Sequence, residues 1–262
     1  MAHTIFPELF TNCWPKAYFC YDIRRMCSLY SECIIKPFEN PEKSADAIKE
    51  KVLQNPSEYL GDTLDGDYGS IAEEYAFCEY GIIKDMQYRT RLLWICCIFE
   101  MWEQNLSCHI LQDLCNSQFP ITENQKNNLF NGFDTFKHLF SSEMFDRTDD
   151  KCILTDFPKY KELQELHLLV NAIKHGRGSS LERLYKYFEK YNAGKEKVFK
   201  LYDGATLYTP TLNITDDDFC RFCNVLTDFW DWIPVHIVIT NIGAFKEKVL
   251  NRKHRRSGQN EV

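Results

Sequence analysis

With 262 residues, of which 44% are hydrophobic, 15% aromatic and 26% charged, the chain has enough apolar material for a buried core and too much for a disordered segment. Eleven Gly and nine Pro are few for this length, which disfavours a turn-rich β architecture and favours long helices. A net charge of -7 does not suggest broad electrostatic coating of nucleic acid, so any RNA contact has to be local.

The twelve cysteines are scattered through helical segments rather than turns, which reads as reduced thiols in a large cytoplasmic chain, not as a disulfide scaffold. The start, MAHTIFPELF, lacks a basic stretch followed by a continuous apolar run, so no secretory signal is expected. The longest apolar run, Leu92 to Phe99, falls well short of the ~20 residues a membrane helix needs. A cytoplasmic protein without membrane contact and without a cofactor is the expectation.

In chain order, Lys16 to Ile35 carries apolar and aromatic residues on nearly all sides, the pattern of a buried helix, and Pro37 stops it. Cys13, Cys20 and Cys27 recur every seven residues. Steps of two turns make a row along a helix rather than a tetrahedral cage, so they read as small core side chains and no metal is expected. Ser44 to Gln54 reads as a short surface helix. In the polar stretch after it, Asp62, Asp65 and Asp67 alternate as in a calcium loop, but the terminal Glu and the glycine are not both in register. A solvated loop is the better reading.

From Ser70 to Ser117 the pattern is helical for nearly fifty residues, with a kink or break expected at Gly81. Arg89 and Arg91 lie about 200° apart around that helix, so at most one faces any given site. One of them can lend a guanidinium to a neighbouring helix; a surface ion pair is the alternative. Pro120 closes the helix, and Thr122 opens another to about Ser142, with Leu129, Phe133, Phe136 and Phe140 along its apolar edge. Residues 146 to 158 form a polar connection.

Lys161 to Ser180 reads as one helix and its stop. Leu163, Leu166, Leu169, Val170 and Ile173 form one apolar stripe, while Gln164, His167, Asn171, Lys174 and His175 fall on an adjoining arc of roughly 100°. Gly176 supplies a left-handed stop, and Ser179 with Glu182 has the spacing of a capping box for the next helix. That helix, Ser180 to Tyr191, turns Leu181, Leu184, Tyr185 and Phe188 inward. Between Lys197 and Ile214, β-forming residues flank Asp203-Gly204, which predicts a small hairpin.

Thr215 then caps the last good helix, with Asp216 to Asp218 in its first turn. Its buried edge is Phe219, Phe222, Val225, Leu226, Phe229 and Trp232. Cys220 and Cys223 form a lone CxxC inside this helix; one pair supplies two ligands and no second pair stands at zinc-like spacing, so they read as part of that edge. A metal- or redox-dependent enzyme built on the cysteines is the weakest reading. The segment from Lys246 on is basic and reads as a disordered tail.

The stretch LLVNAIKHG resembles the signature helix of the HEPN superfamily, all-helical domains found in ribonuclease toxins, abortive-infection proteins and CRISPR effectors. Their motif is an Arg, four to six residues, then His, often with Asn directly after the Arg. Asn171 and His175 match the Asn-x-x-x-His half; Leu168, Leu169 and Val170 stand where the Arg would lie. The helix over 70 to 117 is loosely similar to the first long helix of such domains.

The resemblance implies an all-α, HEPN-like bundle over residues 70–245, preceded by a helical extension, 1–69, and followed by the basic tail, 246–262. It also implies metal-independent endoribonuclease chemistry, in which a 2′-hydroxyl attacks the neighbouring phosphorus. His175 would move the proton, because imidazole titrates near neutrality. Asn171 would orient that ring or bind a phosphate oxygen, Lys174 would replace the charge of the absent Arg, and His167 would act as a second acid or base. Arg177, Arg89 and Arg91 would contact RNA. Such domains commonly form homodimers in which two signature helices share a cleft, and they act in bacterial antiviral defence or as toxins beside an antitoxin or other partner protein. The absent Arg leaves a second expectation, a catalytically degenerate module that binds RNA or protein as a sensor or scaffold. A His and a Lys in the last turn of a helix are also favoured simply by the nearby carbonyls.

Overall fold

The computed structural model describes residues 5–60, 67–130, 132–145, 152–176, 178–191 and 212–251; among these the chain is all-α with one two-stranded sheet. Helix α1 (Lys16–Leu29) runs on as a π-helical turn, Tyr30–Ile34, and ends in a 3-10 turn over Lys36–Phe38, where Pro37 stops it. It is one-sided rather than buried all round: Phe19, Cys20 and Ile23 are buried, but Tyr18 and Tyr21 are 72% and 63% exposed. A tyrosine keeps its hydroxyl wet at little cost, so aromatic content overstates burial. Helix α2 (Pro41–Gln54) starts earlier than its polar pattern suggested, because Pro41 supplies a ready-made first position; α3 (Pro56–Leu60) follows.

Helix α4 (Tyr68–Asn116) is 49 residues long. Asp67 caps its start, Oδ1 accepting from the N–H groups of Gly69 at 3.0 Å and Ser70 at 3.3 Å. Asp62 and Asp65 lie outside the described residues. The break expected at Gly81 is absent. A single exposed glycine costs a helix about 1 kcal/mol but removes no ladder hydrogen bond, and nothing lies within 4 Å of where its Cβ would be.

The single helix expected over 122–142 is two. Helix α5 (Glu123–Leu129) has a capping box from Thr122 and Gln125, and α6 (Phe133–Leu139) begins after Gly132, whose φ is 74°. Glu103 of α4 sets the break: its Oε1 accepts from the Phe133 N–H at 2.6 Å. A Cβ on Gly132 would lie 3.1 Å from that oxygen at a backbone angle L side chains rarely adopt. Then come α7 (Tyr160–His175), α8 (Ser179–Tyr187), α9 (Asp216–Trp232) and α10 (Ile242–Phe245). The hairpin expected over 197–214 falls almost wholly on residues outside those described. The sheet that is described joins β1 (Glu8–Leu9) to β2 (Ile237–Val238), antiparallel, with Glu8 opposite Val238.

The chain divides into two compact units, each gathered from separate segments. The first takes the described residues of Met1–Arg24, Cys97–His167 and Phe222–Val262. Its centre is aromatic: Trp102 meets Phe229 edge-on at 5.0 Å and Phe136 at 5.8 Å, and Trp230 packs with Phe19 at 4.8 Å. Offset and edge-on pairs of this kind add roughly 0.5–1.5 kcal/mol each to the area they bury. Leu9, Trp14, Phe19, Cys20 and Ile23 of the N-terminal segment are buried in this unit. The fold also continues past residue 246: Lys246–Leu250 is a π-helical turn with Val249 and Leu250 buried, and Asn128 Nδ2 donates to the Leu250 carbonyl at 2.6 Å. Residues 252–262 lie outside the described residues.

The second unit takes the described residues of Arg25–Cys96 and Leu168–Arg221. Tyr30 is fully buried beside Phe219, with ring centroids 4.4 Å apart, and beside Trp94 at 6.1 Å. No helix among the described residues is long and apolar enough to cross a membrane.

Candidate functional site

Helix α7 forms where its periodicity places it. Leu163, Leu166 and Leu169 are fully buried, and Val170 and Ile173 nearly so. The helix ends at the expected residue: Gly176 has φ 66° and its N–H donates to the Ala172 carbonyl at 2.9 Å. Helix α8 starts without the expected box from Ser179 and Glu182. Gly178 occupies the N-cap position in extended backbone and no side chain caps the helix, so Ser179 is already inside its first turn.

The residues of the polar arc of α7 differ in their surroundings. His175 is exposed, with Asn171 and Lys174 half-buried on the turn before it. His167, likewise half-buried, packs against aromatic rings, 4.5 Å from Phe133 and 6.0 Å from Phe99. Asn171, Lys174 and His175 belong to the second unit, whereas His167 is the last α7 residue of the first. Arg177 lies outside the described residues.

The two arginines of α4 are both engaged. Arg89 pairs with Asp85 one turn earlier at 2.6 Å, and both side chains are about half exposed. Arg91 is 11% exposed and makes three bonds: Nε to Asp216 Oδ1 at 2.8 Å, Nη2 to Asp216 Oδ2 at 3.1 Å, and Nη1 to the Ile214 carbonyl at 2.8 Å. The Tyr30 hydroxyl donates to the same Asp216 Oδ1 at 2.5 Å. Burial works against both charges, yet Asp216 holds Arg91 above its ordinary pKa, and bonds from Arg91 and Tyr30 hold the Asp216 carboxyl below its own. Burial, and then the Asp216 carboxylate, push the Tyr30 phenol up. This is a two-pronged ion pair at the start of α9, where carboxylates are favoured by the helix dipole. Arg91 therefore joins α4 to the α9 start.

A second polar node, in the first unit, escaped the sequence reading. Asp113 is buried, and its Oδ2 accepts from the Phe10 N–H and from Trp14 Nε1, both at 2.8 Å. One turn before it, His109 lies 5.7 Å from the Trp14 ring and 5.2 Å from Phe19. Burial there pushes the His109 imidazole below its ordinary pKa, against the pull of Asp113 and a bond with Gln112. The i, i+4 spacing of His109 and Asp113 was visible in the sequence; the partners, about a hundred residues away, were not.

The cysteines are all thiols, and the described residues contain no group of three or more His, Cys, Asp and Glu able to hold a metal ion. Within the CxxC, Cys223 is buried, while Cys220 Sγ lies 3.3 Å from Cys27 Sγ of α1. The neighbour of Cys220 is thus a cysteine of another helix.

What α7 presents is an exposed imidazole at a helix end, with an amide one turn back and an ammonium on the residue just before it, on the same arc. Such a set can exchange a proton and bind an anion. Comparison of the chain with protein families, curated proteins and solved structures finds no match.

Proposed function

We propose that the C-terminal end of α7 is an RNA-cleaving site of HEPN type, acting without metal. The observation that carries the reading is the exposure of His175 at a helix end closed by Gly176, with Asn171 and Lys174 on its arc. His175 takes the proton of a 2′-hydroxyl as that oxygen attacks phosphorus, or gives a proton to the leaving 5′-oxygen. Lys174 supplies a point charge for the phosphate, in the role of the family's Arg, and Asn171 binds a phosphate oxygen or steadies the ring. The antiviral or toxin setting and its partner protein belong to the same proposal.

The test is cleavage of total RNA and tRNA by the purified protein in EDTA. Wild type is expected to leave 2′,3′-cyclic phosphate ends, and His175→Ala to lose about a hundredfold or more in rate. Absence of cleavage, or equal cleavage by wild type and His175→Ala, overturns it. A second reading, binding without cutting, is favoured by the placement of His167 against Phe133 and of Arg91 on Asp216. In these positions His167 is engaged in ring packing and the Arg91 guanidinium in its ion pair. RNA retention lost in Lys174→Ala, with no product from wild type, would decide for it.

A further inference from the structure

The first half of α4 carries an apolar stripe on its outside. Leu93 is 62% exposed, Ile82 54%, Met86 46% and Tyr75 37%. At 100° per residue these four fall within about 40° of one another, and Glu79 and Arg89 flank them by about 40° on either side. The positions 75, 79, 82, 86, 89 and 93 alternate in steps of four and three, which is the seam of a coiled coil. Leu92 and Ile95, which are buried, point away from it. An exposed, regular apolar seam on a long helix marks an interaction surface.

The order of residues along the seam says what covers it. Tyr75 and Leu93 lie nine residues either side of Lys84, Glu79 and Arg89 five, and Ile82 and Met86 two. Two copies laid antiparallel about a two-fold axis at residue 84 therefore place Leu93 on Tyr75, Met86 on Ile82, and Arg89 on Glu79, each contact occurring twice. Every layer is then apolar on apolar or positive on negative. In the parallel arrangement Glu79 would face Glu79 and Arg89 would face Arg89. The self-complementary order is what a two-fold interface demands. The layers span about 27 Å of helix. Tyr59 stands edge-on to Tyr75 at 5.4 Å and widens the apolar end that receives Leu93. Arg89 can keep Asp85 and still reach Glu79 of the second copy, since a guanidinium has five N–H donors.

We infer that the exposed face of α4 from Tyr75 to Leu93 is the docking surface for the same face of a second copy of this chain, antiparallel, with Glu79 and Arg89 setting the register. The surface lies on a different helix from the proposed RNA site and does not rest on that reading.

The test is sedimentation velocity of the full chain from about 1 µM to about 100 µM. Wild type is expected to dimerise. Glu79→Arg or Arg89→Glu alone sets like charges opposite one another twice per dimer and weakens association by at least about tenfold. An equimolar mixture of those two variants restores it, because each then meets its opposite. The double variant Glu79→Arg/Arg89→Glu, with the pairs inverted but intact, returns to within about threefold of wild type; a parallel pairing gives no such rescue. Leu93→Lys abolishes association. Circular dichroism checks that the variants keep their helix content, and the recovery in the mixture needs folded partners and so stands independently of that check. Wild type that stays monomeric at the highest concentration, as it would if the stripe served a different protein, overturns the proposal. So does a dimer indifferent to both charge reversals, which places the interface elsewhere.

Discussion

His167 and His175 stand two turns apart on α7 and share one arc of the helical wheel, yet their surroundings differ: His167 is half-buried and His175 exposed. The first packs beside Phe133 and Phe99; the second is exposed at the helix end. The comparison teaches that periodicity sets the direction a side chain leaves its own helix, while neighbours from distant segments decide how far that direction is covered. A polar arc is therefore not by itself a site.

Substitutions along α7 and its supports can break or sharpen the contrast, read as unfolding free energy from urea titration. The largest effect is expected from Leu166→Ala, a fully buried side chain of the apolar stripe: about 3 kcal/mol lost, with the slope against urea unchanged. Arg91→Ala removes three bonds and leaves Asp216 and the Ile214 carbonyl short of a partner, for about 2 kcal/mol. In the double variant with Asp216→Ala the losses should fall short of additive, because the two residues act as one unit. His167→Ala should cost about 1 kcal/mol through lost ring packing, and His167→Phe should retain most of it.

His109 yields a smaller effect, visible only as a pH dependence. Its folded-state pKa lies below the ordinary 6.5, so the unfolded chain binds the proton more readily. Stability is then fully present above pH 6.5 and declines as pH falls from there through the folded pKa. A urea midpoint that drops on acidification from about pH 7 to pH 5, with a shallower drop in His109→Gln, is the expected result. The smallest stability effect belongs to His175→Ala, within about 0.5 kcal/mol of wild type. A large loss there would show that His175 is held by the fold and would erase the contrast with His167.

Much of the helical framework was legible in the residues. The runs that became α1, α4, α7 and α9 show themselves by period, and Gly176, Thr122 and Thr215 punctuate them where the backbone turns; Thr215 Oγ1 accepts from the Asp218 N–H at 3.3 Å. The division of the 122–142 segment was not legible. It depends on Glu103, thirty residues from the amide it caps. The engagement of Arg91 was equally hidden, since Asp216 is 125 residues away. Burial of α1 was overstated because Tyr18 and Tyr21 count as apolar in a pattern but stand in solvent.

By itself the sequence determined the all-α class, the course of the principal helices and the abrupt end of α7 at Gly176, because these rest on interactions within a few residues: the i to i+4 ladder, a cap, a positive φ. Only the tertiary structure decided that His167 is packed among rings while His175 is exposed, that Arg91 serves α9, and that residues 5–24 build an aromatic core with Trp102, Phe229 and Trp230. Those outcomes depend on contacts between residues far apart in the chain, where a one-dimensional pattern carries direction but not neighbour.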